Sequence, residues 1–444
     1  MHVNSKNKRV IVIALDGVPF SFLPKIKEMG IAPFLTSLHE EGKITPMSTT
    51  LPPVSSVAWA SFLTGENPGI HGITGFVDRK PDGYDPFVPT AENLLVPTIY
   101  QHLSRLGLRM CSLGVPATFP PAPVNGMIVS GFLAPSLERA VYPPEELEKL
   151  KSFDYRLDID AWSARKSHDS LIDELPKSLT SRLNAARHYL DRERWDLFVL
   201  HVLETDRLHH FLWREMNSGE RSAVDLFALI YRAIDRFISD LFDSMDEDSA
   251  IIILSDHGFT ELKKDLYLNH WLISNGYLTL SEPNATNLNA VESDSKAFSM
   301  APGRIYLHLK DRSPKGKLLE GSEAEGVRKE LTSSLPEIHD PETGSSVIER
   351  VADMRNEWDS ADFDGSPVQL PDLIAVPKQG YEIKGELNAP ELFGYNRFSG
   401  MHSYGDAMIY LNGDRVNGLD ITDLPDIICG LLNVKSLNTK AVLS

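Results

Sequence analysis

Residues 251–258 read Ile-Ile-Ile-Leu-Ser-Asp-His-Gly. Four large apolar residues in succession suit a strand buried on both faces, the kind a parallel sheet contains. Ser255, Asp256, His257 and Gly258 then fall at its carboxyl end, where an open α/β sheet presents ligand-binding groups. Two further apolar runs end the same way. Residues 10–15 lead into Asp16-Gly17, and residues 197–203 lead into Glu204-Thr205-Asp206, with His209 and His210 just beyond. Amphipathic stretches of helical length, 170–194 and 226–245 among them, separate these runs. Strand, helix and strand in that order predict an α/β fold, a largely parallel central sheet flanked by helices. Three strands then deliver acid and imidazole side chains to one edge.

A hydroxyl stands at another element start. Residues 51–65 run Leu-Pro-Pro-Val-Ser-Ser-Val-Ala-Trp-Ala-Ser-Phe-Leu-Thr-Gly. The prolines stiffen the approach, Ser55 and Ser56 open a helix, and Thr64-Gly65 ends it. Free amides at such a start favour a phosphoryl oxygen or an alkoxide, although a serine there also serves as a plain cap. Asp206 and His210, four apart, share a helix face and can hold one ion, and His209, at three residues, competes for the same place. Alone, Asp16 reads as a turn residue, His71 as a loop hydrogen-bonder, and His402, in Gly400-Met401-His402-Ser403-Tyr404-Gly405, as surface decoration. The company of Asp206, His210, Asp256, His257 and a hydroxyl gives Asp16 and His402 their chemistry. Mixed nitrogen and oxygen donors select zinc, manganese or iron over magnesium and calcium, which prefer oxygen alone.

Charge and composition narrow the classes further. The chain has 62 acidic and 44 basic side chains, a formal charge of −18, which disfavours nucleic-acid polymers and anionic membranes. Its site must therefore be cationic locally if the substrate is an anion. The two cysteines, Cys111 and Cys429, make neither a disulfide framework nor a thiolate cluster. A polar start at residues 1–9 and the lack of any run of membrane-spanning length point to a cytoplasmic protein without a membrane span. Beyond Gly258 the pattern changes, to a helix within 262–276, a short strand at 277–280 and a polar stretch at 281–297. Strands at 304–309, 347–354 and 372–376 follow, then the apolar strand 407–411 and a closing helix at 421–432.

Five motifs occur in order: Ala14-Leu15-Asp16-Gly17-Val18; residues 52–65 with Asn67-Pro68-Gly69 and His71-Gly72-Ile73 after them; residues 204–210; residues 255–258; and the His402 loop. Together they resemble the alkaline phosphatase superfamily, most closely its type I phosphodiesterase/nucleotide pyrophosphatase branch. The resemblance implies an alkaline phosphatase-like catalytic core from residues 1–258 and 400–444, with 259–399 holding the remaining core elements and a cap or insert. It implies two divalent metal ions, zinc first and manganese or iron next, one held by Asp206, His210 and His402 and the other by Asp16, Asp256 and His257. The nucleophile in such enzymes lies nine residues before the threonine of the Thr-Gly turn, which is Ser55 here, its hydroxyl activated on a metal. Nucleotide pyrophosphatases of this kind usually carry an asparagine shortly after the His-Gly-Ile turn. This chain has Phe76, which weighs against a nucleotide more than against a hydrolase, and a backbone amide or Lys296 are candidate replacements.

The expected reaction is hydrolysis of a small phosphate ester through a phosphoseryl intermediate. A phosphodiester is the first choice of substrate and a phosphomonoester the alternative. From a different class comes a non-catalytic metal-binding scaffold. A formylglycine-type sulfatase is set aside because neither cysteine lies near the helix opened by Ser55.

Overall fold

The computed structural model describes residues 9–81, 83–160, 168–358 and 367–437. Most of the polar start read from the sequence, residues 1–8, lies outside them. The chain forms two units, one from residues up to Glu66, Thr90–Phe259 and the chain from Phe398 onward, the other from Asn67–Pro89 and Thr260–Arg397.

In the first unit, strands β1 (Arg9–Leu15), β2 (Ile44–Met47), β3 (Met110–Val115), β4 (Gly126–Ser130), β5 (Val141–Tyr142), β6 (Leu197–Val202), β7 (Ser249–Leu254) and β8 (Ala407–Leu411) make one sheet. Its eight strands lie in the order β2-β8-β7-β1-β6-β3-β4-β5. The five from β7 to β4 are mutually parallel. β8 runs antiparallel to β7 and β2, and β5 runs antiparallel to β4. This is the largely parallel α/β sheet predicted from the apolar runs.

Burial on both faces explains why those runs are continuous rather than alternating. Along β1, Ile11, Ile13 and Leu15 join a core that includes Phe198, Leu200, Ile251 and Ile253. Val10, Val12 and Ala14 are equally buried and, by the period of two, point to the other face. Helix Arg221–Asp243 supplies Leu226, Phe227, Ile230, Tyr231, Ile234, Phe237, Ile238 and Leu241 to the first core, at the spacing of one helical stripe. Each such side chain contributes about 1.5–3 kcal/mol on burial, which holds the scaffold rigid behind the site. Helix Leu424–Leu431 packs on β1, and helix Ile99–Arg105 packs on β3.

Among the described residues the second unit has its own core and three smaller sheets, one of them the antiparallel pair Asp78–Arg79 with Pro86–Phe87. Four antiparallel strands lie in the order Ala297–Met300, Arg304–Leu307, Leu373–Pro377, Ile348–Asp353. Lys264–Tyr267 is central in a three-stranded sheet, between Tyr381–Lys384 and Phe393–Gly394. Residues 67–89 are tied in through buried Arg304, whose guanidinium meets Asp78 and donates to Thr74 Oγ1 at 2.9 Å. The strand expected at 277–280 is absent. Leu280 instead makes a single antiparallel bridge to Val291. Among the described residues no helix is long and apolar enough to cross a membrane.

A buried ion pair fixes the start of the helix Glu204–Asn217. Arg182, on helix His168–Arg192, donates from Nε to both Glu204 carboxylate oxygens at 3.0 Å, and Ser178 Oγ donates to the same group at 2.7 Å. The two ionised side chains are 1% and 2% exposed. Removing one partner leaves an uncompensated buried charge. Arg182→Met should therefore cost about 3–5 kcal/mol, read as a lowered urea midpoint for unfolding.

Candidate active site

Strands β7, β1 and β6 are neighbours in the sheet, so the residues just beyond their carboxyl ends are brought together by topology. Asp16 comes directly after β1, and its amide continues the β1–β6 ladder by donating to Val202 O at 3.1 Å. Thr205 Oγ1, at the start of the next element, donates to Asp16 O at 2.6 Å and clasps the two chain segments. Gly17 takes a left-handed φ of 64°, and a Cβ there would lie 3.1 Å from the His257 ring. Glycine at this turn is thus a requirement of close approach as well as of backbone conformation. Its amide donates to Asp256 Oδ1 at 3.1 Å.

All seven residues expected at the site lie in the first unit, and they converge. Donor atoms of Asp16, Asp256 and His257 lie within 4.8 Å of one another, as do those of Asp206, His257 and His402. His210 Nε2 completes the second cluster, 3.0 Å from His402 Nε2 and 3.3 Å from Asp206 Oδ1. His402 Nε2 is 3.2 Å from Asp206 Oδ1. The His257 and His402 rings stack with centroids 3.7 Å apart, which makes the two groups one continuous centre. Ser55 Oγ faces the first group, 3.2 Å from His257 Nε2 and 3.4 Å from Asp16 Oδ1.

The imidazole tautomers follow from the backbone. His257 Nδ1 is 3.0 Å from Gly258 O, His210 Nδ1 is 3.1 Å from Gly400 O, and His402 Nδ1 is 3.0 Å from Pro53 O. A carbonyl only accepts, so each Nδ1 carries a proton and each Nε2 is the nitrogen that faces inward. His210 Nε2, His402 Nε2 and Asp206 Oδ1 are then crowded at hydrogen-bond distance, and with both rings neutral all three are acceptors. Such a set repels itself unless it shares a cation. Asp256 Oδ2 is buried and accepts no hydrogen bond among the described residues. The donor set fits divalent metal ions on both counts, and its imidazoles carry the backbone carbonyl partners usual behind metal-bound histidine.

Electrostatics point the same way. Burial works to raise the Asp16 and Asp206 carboxyls, but hydrogen bonds from His201 and His257 to the first, and His210 and His402 beside the second, hold both well below the usual range. Burial and the neighbouring Asp16 push Asp256 upward. Burial alone would lower His257, yet Asp256 and Asp16 against it raise its pKa to about 10. Burial, then the charge of His257, lowers His402 to about 4, which keeps it neutral and ready to donate its lone pair.

Local contacts separate the close alternatives. His209 is fully buried with both nitrogens occupied, Nδ1 at 2.9 Å from Gly17 O and Nε2 at 2.9 Å from Tyr231 Oη. It braces the Asp16-Gly17 turn, while His210 turns inward. Ser56 Oγ is buried and makes no hydrogen bond among the described residues, whereas Ser55 faces Asp16 and His257. His71 lies in the second unit and accepts the Ile73 amide at 3.2 Å. Lys296 is also in that unit, its ammonium 5.6 Å over the Tyr277 ring.

Sequence reasoning passed over His201. It sits inside β6 opposite Ala14, and its Nε2 lies 2.7 Å from Asp16 Oδ2, leaving Oδ1 for the centre. Its one signal was a lone imidazole within an otherwise apolar buried run.

A sequence model described as type I phosphodiesterase / nucleotide pyrophosphatase matches residues 10–405. Among solved structures, the chain is similar to phosphonoacetate hydrolase from Sinorhizobium meliloti 1021 solved with phosphonoformate, at 15% identity and a TM-score of 0.63, covering 96% of each chain. It is similar to murine ectonucleotide pyrophosphatase / phosphodiesterase 5 at 15% identity and a TM-score of 0.56, covering 97% of this chain and 96% of that one. The human counterpart gives 16% identity and a TM-score of 0.55 over the same shares. At these identities the likeness carries the fold.

Burial and neighbouring charge shift both Asp256 and His257 upward, so in the metal-free protein protons stay on this pair to higher pH than on ordinary groups. Ligation requires them deprotonated, so protons compete more strongly as pH falls. Metal binding to the stripped protein should release protons and weaken as pH drops from about 9 to 6, by about tenfold per unit for each proton displaced. Zinc calorimetry in two buffers of different ionisation enthalpy measures both.

Proposed function

The chain belongs to the type I phosphodiesterase / nucleotide pyrophosphatase family, and on that footing we propose that it hydrolyses a small phosphodiester at a two-metal centre with Ser55 as nucleophile. Metal-dependent phosphoester hydrolysis is the family's chemistry, and the diester, the nucleophile and the ligand roles are our reading. One observation carries it: inward-facing imidazole Nε2 atoms and carboxylate oxygens crowd together, and a serine hydroxyl faces them at Asp16 and His257. Asp206, His210 and His402 would hold one ion, and Asp16, Asp256 and His257 the other. The mixed nitrogen and oxygen donors favour zinc, with manganese or iron next.

When bound, the two ions supply Lewis acidity to the phosphoryl oxygens and favour the serine alkoxide. The chain's own residues do the rest. Asp16 Oδ1 and His257 Nε2 face the Ser55 hydroxyl and orient its oxygen. Ser55 Oγ bonds to phosphorus as the ester oxygen leaves, the hydroxyl proton passing through solvent to that oxygen; water then displaces Ser55 from phosphorus, its oxygen staying on phosphorus and one of its protons returning to Ser55 Oγ. His201 holds the outer oxygen of Asp16, and the Gly17 amide holds Asp256. Solvent reaches this centre on the side of His210 and His402, whose side chains are 19% and 15% exposed.

All seven residues lie in the first unit, which we assign as catalytic, with the second unit as insertion. A cytoplasmic location is part of the reading, supported by two buried cysteines that are free thiols.

A paired assay on a chromogenic phosphodiester and its monoester tests the proposal. The diester should turn over faster, chelation should abolish turnover and a divalent ion restore it. Ser55→Ala should lower kcat on the order of 10⁴-fold or more. Preference for the monoester would replace the diester reading, full activity in Ser55→Ala would remove the nucleophile, and bound metal without turnover would leave a scaffold.

A further inference from the structure

The group of Asp206, His210 and His402 contains one carboxylate, so its geometry depends on how Asp206 is held. Nothing intrinsic does this, because the terminal torsion of an aspartate is broad and two-fold. Arg207, the next residue, folds back and donates from Nη1 to Asp206 Oδ2 at 2.8 Å. Oδ1 is left to face His210 and His402. The guanidinium is itself fixed. Nε reaches Asp158 Oδ1 at 3.0 Å, Nη2 reaches Asp158 Oδ2 at 2.7 Å, and the group lies 5.0 Å over the Phe132 ring. The two side chains are only 15% and 20% exposed, unlike an ordinary surface pair.

We propose that Arg207, and Asp158 acting through it, are positioning residues that restrict Asp206 to one-oxygen ligation of the ion shared with His210 and His402. The inference rests on the two-metal reading above. Arg207 is poorly placed to clamp a substrate anion with its fork, since the Nε–Nη2 edge already spans Asp158 and Nη1 is on Asp206. A cation on the outer oxygen also withdraws negative charge from the ligand, which leaves that ion more of its pull on a phosphoryl oxygen. The arrangement parallels His201 on Asp16, so each implied group has one carboxylate tied from behind.

Cobalt(II) titration of the metal-stripped protein, followed by visible absorption and equilibrium dialysis, tests the pair apart from turnover. The wild type should bind in two steps, and Asp256→Asn identifies the step that belongs to the other group. Arg207→Gln should weaken the remaining step about 10- to 100-fold and shift its absorption bands, while the Asp256 step stays within about twofold. Arg207→Lys, which keeps the charge but not the fork, should recover part of the loss. Asp158→Asn, nearly isosteric and expected to fold, should give the same band shift with a smaller loss of affinity. Unchanged affinity and bands in both Arg207→Gln and Asp158→Asn, or equal loss of both steps, would overturn the inference. A wild type that binds fewer than two ions would overturn the two-metal reading instead.

Discussion

Carboxylates and imidazoles crowded together in a buried centre are the constraint on which the first unit depends. Three carboxylates and three inward-facing imidazole nitrogens converge in a region where Asp16, Asp256 and His257 are wholly buried. In the absence of a cation this arrangement opposes folding, because buried polar groups are stabilised only when paired. The surrounding structure supplies the opposing stability. Parallel strands with two apolar faces fix the spacing of Asp16, Asp206 and Asp256, and backbone carbonyls fix the three rings.

The outer contacts divide that work. His201 and Arg207 each occupy the far oxygen of a carboxylate, and Arg182 with Ser178 anchors Glu204 two residues before Asp206. His209 joins the Gly17 carbonyl to Tyr231 on helix Arg221–Asp243. Residues that touch no reacting atom thus determine where the reacting atoms lie. An enzyme that works by electrostatic stabilisation needs such fixed groups, since dipoles that must reorient during the reaction give up part of their advantage.

Much of this was legible in the sequence, for a physical reason. A strand buried on both faces must read as an unbroken apolar run, so the polar residue ending it stands out, as Asp16, Glu204 and Asp256 do. Choices between neighbours were not legible. Offsets of three and four both fit one helix face, and His210 rather than His209 faces inward because Gly17 and Tyr231 take both His209 nitrogens. His201 looked like core because the run around it is core. Arg207 and Asp158, 49 positions apart, showed no local pattern. Nor did the place of residues 67–89, which rests on pairs such as Asp78 with Arg304, 226 positions away. Spacing reports what is near along one element, and these contacts cross between elements.

The strand order has a consequence for how the protein is made. β2 sits at the sheet edge and its neighbour is β8, near the carboxyl end of the chain. During synthesis, residues 44–47 therefore emerge early and wait for residues 407–411, an interval of tens of seconds at about 5–20 residues per second. His402 arrives just ahead of β8. Closure of the sheet and completion of the Asp206 group become one late event, so a nascent chain has neither a finished edge nor a full set of ligands with which to trap an ion prematurely.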